Sequence, residues 1–212
     1  MTNPVQNEDA VVVKFTETVS TLALLNIYWL VSALLVIPLF AGTEALFYCV
    51  YRHVKDRETA LGQTFFSYVK RNLFSSFKRQ GLPVMVLIVA VMDMLVIYFM
   101  PINSVIRSLL LGIFLILTLL VFMLFMYQLV FLFSEDSASK PLKRLKARVV
   151  QAYVTVIRYP QYTFTLILIL FVYLLISLYF VPMLFFFGLS FPAYCFTYVT
   201  LNKLSKKSHR MG

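Results

Sequence analysis

Three long tracts carry no Asp, Glu, Lys or Arg: Thr18 to Thr43, Ser108 to Ser134 and Tyr159 to Asn202. A helix that crosses ~30 Å of hydrocarbon at ~1.5 Å per residue needs about 20 such residues. The first two tracts therefore each hold a crossing, and the third, interrupted at Val181-Pro182, holds two. In hydrocarbon every backbone amide must bond internally, and segments this long are not barrel strands, so the crossings are α-helices. The composition agrees: 61% of the 212 residues are hydrophobic, 13% are charged and the mean hydropathy is +0.85, which excludes an ordinary soluble globular domain.

The fold expected is all-α, a single polytopic membrane domain over residues 1–212 with six transmembrane helices and two cytoplasmic amphipathic helices. The spans fall at about 18–38, 41–54, 82–100, 105–133, 162–180 and 182–201. The first is expected to be retained, because a mainly acidic leader (Glu8, Asp9, Glu17 against Lys14) precedes it and no small-residue cleavage site follows. The fourth is longer than a crossing needs and must tilt or project.

Basic residues set the orientation. They gather in Tyr51 to Gly81 (Arg52, Lys55, Arg57, Lys70, Arg71, Lys78, Arg79), in Glu135 to Pro160 (Lys140, Lys143, Arg144, Lys146, Arg148, Arg158) and in the tail (Lys203, Lys206, Lys207, Arg210). The remaining connections lack Lys and Arg. All three basic segments then lie in the cytoplasm with both termini. The net charge of +10 is thus spread over loops flanking spans, which points to topology and anionic lipid and away from nucleic acid.

Two basic segments have helical periodicity. In residues 62–79, Phe65, Val69, Leu73 and Phe77 recur every fourth residue, opposite Ser67, Arg71, Ser75 and Lys78. In 139–158, Leu142, Leu145, Val149, Ala152 and Val156 repeat among basic residues, with Ser139 as N-cap and Pro160 as stop. Each helix either packs on headgroups and the floor of the bundle or offers a docking surface, for which Phe65, Val69, Leu73 and Phe77 are the candidates.

Intramembrane polar residues are the other candidates, since a charge in a span costs several kcal/mol unless paired, protonated or hydrated. Asp93 lies near the middle of the third span and Glu44 at the outer end of the second, just after Pro38 and Gly42. Asn26 and Trp29 add polar atoms to the first. These four are read as polar contacts between helices or as parts of a binding site. Cys49 and Cys195 sit in apolar surroundings without metal-ligand spacing and read as small buried hydrophobes. No phosphate-binding loop, H-E-x-x-H, C-x-x-C or G-x-S-x-G occurs, so neither a cofactor, a metal nor catalytic residues are expected, and the chain does not read as an enzyme.

Asn26-Ile27-Tyr28-Trp29, Pro38 with Gly42-Thr43-Glu44-Ala45-Leu46, Tyr51, and Phe65-Phe66-Ser67-Tyr68-Val69-Lys70-Arg71-Asn72 resemble the amino-terminal signature of the YesL-like integral membrane proteins, a domain of unknown function. The resemblance is sharp over Asn26 to Phe77 and looser at Gly188 and Pro192-Ala193-Tyr194. It implies a Gram-positive-type plasma-membrane protein encoded beside carbohydrate ABC importers and sugar-responsive two-component systems. The chain lacks the E-A-A…G coupling loop of an importer permease. The function expected is therefore an accessory or regulatory subunit in contact with the permeases and ATPase of an oligosaccharide importer. The alternatives are an independent small-solute transporter or channel, and a membrane sensor coupled to a two-component system.

Overall fold

A computed structural model describes residues 4–56, 61–133 and 141–201, and among these the secondary structure is helical throughout, with no strand. Eight helices follow in order: α1 Pro4–Ala33, α2 Val36–Asp56, α3 Leu61–Phe99, α4 Ser104–Phe131, α5 Pro141–Arg158, α6 Pro160–Tyr179, α7 Val181–Phe187 and α8 Ser190–Val199. Of these, α3, α4 and α6 are long and apolar enough to cross a membrane, and the bent pair α7 and α8 makes a fourth if taken as one span. The chain therefore has the helices of a membrane protein.

Helices α1 and α2 do not meet that standard. The backbone leaves the helix at Leu34 and Leu35, short of the expected end at Pro38, and this shortens the charge-free part of α1. Pro38 instead falls in the first turn of α2, where its missing N–H has no helical partner to lose. Helix α2 in turn carries Glu44, Arg52, Lys55 and Asp56 within its 21 residues.

The segment 62–79 is not a separate amphipathic helix. It continues without interruption through Gly81 and Pro83 into the apolar part of α3, 39 residues in all. Proline inside a membrane helix is tolerated because neighbouring groups take up the freed carbonyl. The second segment is helical as α5, which starts at Pro141; Ser139 and the side chains of Leu142 and Leu145 lie outside the described residues. Helix α6 begins with Pro160 at its first position, a placement that costs no hydrogen bond. The expected helix 182–201 is broken: α7 and α8 meet at 59° across Gly188 and Leu189.

The chain divides into two compact units, 1–73 with 170–212, and 74–169. In the first, the two-residue link makes α1 and α2 a hairpin, and α8 packs on α2 while α7 packs on α1. Helix α2 is the centre of this unit, with Ala41 through Phe47 buried in an unbroken run, the pattern of a helix covered on all sides.

In the second unit, a short turn over 100–103 joins the apolar part of α3 to α4, and Thr118 Oγ1 of α4 donates to Met94 Sδ of α3 at 3.8 Å. The Asn103 side chain caps α4 by accepting from the Val105 amide at 2.9 Å, and Arg107 Nη2 donates to the Met100 and Ile102 carbonyls at 3.0 and 3.3 Å. The Asn103 bond satisfies an amide at the start of α4, and the Arg107 bonds serve carbonyls exposed by the turn. Helix α5 packs on α4, burying Ala152 and Thr155, while Val150, Tyr153, Val154 and Ile157 form an exposed apolar stripe on it.

Candidate functional site: a polar seam in the first unit

Asn26 is fully buried on α1 and holds the break between α7 and α8. Its Nδ2 donates to the Phe185 carbonyl at 2.6 Å and, more weakly, to Leu184 at 3.5 Å, while its Oδ1 accepts from the Leu189 and Ser190 amides at 2.9 and 3.3 Å. A broken helix leaves carbonyls on one side and amides on the other without partners, and one carboxamide offers donors and acceptors to both. Gly188 makes room at this point: a Cβ there would lie 2.5 Å from the Leu184 carbonyl oxygen and 3.6 Å from Asn26 Nδ2.

Trp29 and Thr43 join α1 to α2. The indole Nε1 donates to Thr43 Oγ1 at 3.1 Å, and the Thr43 hydroxyl donates to the Leu39 carbonyl at 2.9 Å. Beside them the helices approach so closely that a Cβ on Gly42 would collide with the Ser32 side chain. Small residues permit such backbone approach, which is how helices gain packing energy in lipid.

Glu44 is fully buried on α2 and accepts from the Tyr68 hydroxyl of α3 at 3.0 Å. The Tyr68 ring stacks on Tyr48 (5.1 Å, 30°), and Arg52 Nη1 donates to the Tyr48 hydroxyl at 3.3 Å. Glu44, Tyr48 and Arg52 are four residues apart, so they share one face of α2 and form a polar line along it. Sequence reasoning had singled out Asn26, Trp29 and Glu44, and the structure gives each a partner within this unit.

The remaining candidates are placed differently. Phe65 is fully buried against Tyr28 (ring centroids 5.8 Å), so it belongs to the unit's core and offers no outward contact. Val69 and Leu73 are half-buried, and Phe77 is exposed. Asp93 is exposed on α3, between exposed Val89 and Val96 on the same face. Its helix is an extreme case, with only 6% of its most apolar stretch covered by the chain itself.

Sequence reasoning missed a cavity of about 340 Å³ lined by Lys14, Glu17 and Thr18 of α1, His53 and Val54 of α2, and Tyr194 and Tyr198 of α8. The spacing of Tyr194 and Tyr198 by one turn was the available signal. Among the described residues no group of three or more His, Cys, Asp or Glu is placed to hold a metal ion. Cys49 and Cys195 are free thiols, and Cys49 Sγ donates to the Leu61 carbonyl at 3.7 Å.

Residues 22–94 match the model of a family described as "Protein of unknown function, DUF624". The matched stretch takes in Asn26, Trp29, Glu44 and Asp93 and runs from α1 into the apolar part of α3. Comparison with curated proteins and comparison with solved structures each gave no match.

Proposed function

We propose that the chain is an accessory or regulatory membrane subunit that associates laterally with another protein in the bilayer. The observation that carries this reading is Asp93: an exposed carboxyl near the middle of an apolar helix that the chain itself leaves almost bare. A carboxyl facing hydrocarbon is costly, and a transmembrane helix bearing a hydrogen-bond donor or a cation relieves that cost. Without a hydrophobic force between helices in lipid, such a contact together with close packing is what drives association.

The resemblance to YesL-like proteins names the partner as a carbohydrate ABC importer, with its permeases and ATPase, in the plasma membrane. The stretch that carries the resemblance, Asn26 to Phe77, lies within residues 22–94. In this reading α1 and α2 enter the bilayer as one hairpin, completing six crossings with both termini in the cytoplasm. Purification in mild detergent from native membranes, followed by mass spectrometry, tests it: two permeases and an ATPase should accompany the chain. Isolation of the chain alone, with unaltered sugar uptake in its deletion strain, would overturn it.

The independent-transporter reading has one observation in its favour, the bend between α7 and α8, because discontinuous helices bind solutes near the middle of transporters. In those proteins the freed backbone groups face the solute. Here Asn26 occupies them, which favours a structural role for the break.

A further inference from the structure

The cavity lined by Lys14, Glu17, His53, Tyr194 and Tyr198 plays no part in lateral association and has a chemistry of its own. Its depth follows from the chain. Lys14 and Glu17 lie just before the charge-free tract that opens at Thr18, and His53 lies between Arg52 and Lys55 at the exit of α2. This is the boundary between hydrocarbon and water, where Tyr side chains with one apolar and one polar end also concentrate.

The walls present two opposite charges within one turn of α1, Lys14 and Glu17. Thr18 has no proton to offer, because its hydroxyl donates back to the Lys14 carbonyl at 2.9 Å, but its oxygen remains an acceptor for an ammonium. Across from them Tyr194 and Tyr198 stack at 6.0 Å and 23°, giving a broad aromatic wall with two phenol hydroxyls. A plain anion would meet the carboxylate of Glu17, and a plain cation would meet the ammonium of Lys14. A zwitterion satisfies both: its phosphate takes the Lys14 ammonium and the phenol hydroxyls, while its ammonium takes Glu17 and the tyrosine faces. At about 340 Å³ the cavity is the size of a small headgroup and not of a whole lipid, so acyl chains would remain in the bilayer.

We propose that this cavity binds a phosphodiester linked to a primary ammonium, and that its source is the headgroup of phosphatidylethanolamine. Native mass spectrometry of the full chain, in detergent micelles doped equally with phosphatidylethanolamine and phosphatidylglycerol, tests this. The wild type should retain the ethanolamine lipid in preference. Glu17→Gln should lower the ratio of the two lipids by roughly tenfold, the worth of one hydrogen bond to a charged group. Lys14→Gln should weaken both lipids alike, and Tyr198→Leu, which removes part of the aromatic wall, should lower the ratio as Glu17→Gln does. Equal retention of the two lipids by the wild type, or an unchanged ratio in both Glu17→Gln and Tyr198→Leu, would overturn the proposal. Soluble glycerophosphoethanolamine at millimolar concentration distinguishes the source: failure to displace the lipid supports the membrane headgroup, and displacement overturns that assignment in favour of the free compound.

Discussion

Tyr68 reaches across from α3 to donate its hydroxyl hydrogen to Glu44 at 3.0 Å, so a fully buried carboxyl at the centre of the first unit is met by a residue 24 positions further along the chain. Tyr68→Phe should remove that donor while preserving the ring stack on Tyr48. The expected loss is about 1 to 3 kcal/mol, the cost of withdrawing one partner from a buried polar group. Thermal unfolding in detergent, followed by loss of the monodisperse peak on size exclusion, measures it. Stability equal to wild type would show that Glu44 does not depend on this bond.

Asn26 serves four backbone groups at once, and its replacements should separate donor from acceptor. Asn26→Asp keeps the acceptor for the Leu189 and Ser190 amides and loses the donor to Phe185, whereas Asn26→Leu loses both. Leucine should be the more damaging, by ~1 to 3 kcal/mol relative to wild type for each buried group left unpaired. Hydrogen exchange at Leu189 and Ser190, measured by mass spectrometry, should rise with Asn26→Leu and less with Asn26→Asp. Protection unchanged in Asn26→Leu would mean that the break holds itself.

Glycines in this chain should respond in opposite directions to the same substitution. Gly42→Ala drives a methyl into Ser32 and should destabilise by ~1 to 3 kcal/mol, the usual range for overpacking. Ser32→Gly in the same chain should recover part of the loss, a coupling that a double-mutant cycle reads directly. Gly81 and Gly112 have open space where a Cβ would go, so alanine at either should be neutral or stabilise by about 0.4 to 1 kcal/mol through the unfolded chain. Additive effects of Gly42→Ala and Ser32→Gly would show that the two helices do not press on each other there.

Asp93 should affect assembly and leave the fold of the chain intact, because it is exposed. Asp93→Asn retains a hydrogen-bonding group and should keep the partner; Asp93→Leu should weaken association by ~0.6 to 2 kcal/mol, as for other interhelical hydrogen bonds in membranes. Quantitative co-purification from native membranes reads the difference. If Asn and Leu co-purify equally, the carboxyl makes no contact with the partner; if Asn alone abolishes solute movement in liposomes, the transporter reading takes its place.

The apolar tracts made α4 and α6 legible, since long charge-free runs admit few alternatives, and Pro160 and the Val181-Pro182 pair marked real boundaries. The continuity of α3 was not legible. Its sequence changes from an amphipathic to a uniformly apolar pattern around Gly81 and Pro83, which reads as a junction, yet the backbone bonds of a helix are indifferent to such a change in surroundings. The break at Gly188 was obscured by the apolar residues on both sides. As for the seam, a sequence displays Asn26 as a polar residue in a charge-free tract but cannot display partners 158 to 164 positions away. The cavity drew on three helices between Lys14 and Tyr198, and no local pattern joins them.

The turn between α1 and α2 is made of leucines, Leu34 and Leu35, 83% and 64% exposed. Turns that face water are ordinarily built from Gly, Asn, Asp or Ser, and a tip of this kind gains nothing from water. In the proposed six-crossing arrangement it would sit in acyl chains or at the far headgroups. A hairpin that stops inside the bilayer and one that reaches across it both return the chain to the side from which it entered. The sidedness of the basic stretch that begins at Arg52 is therefore the same in either case, and depth, which impermeant labelling of cysteines placed at 34 and 35 would read, becomes a separate property from topology.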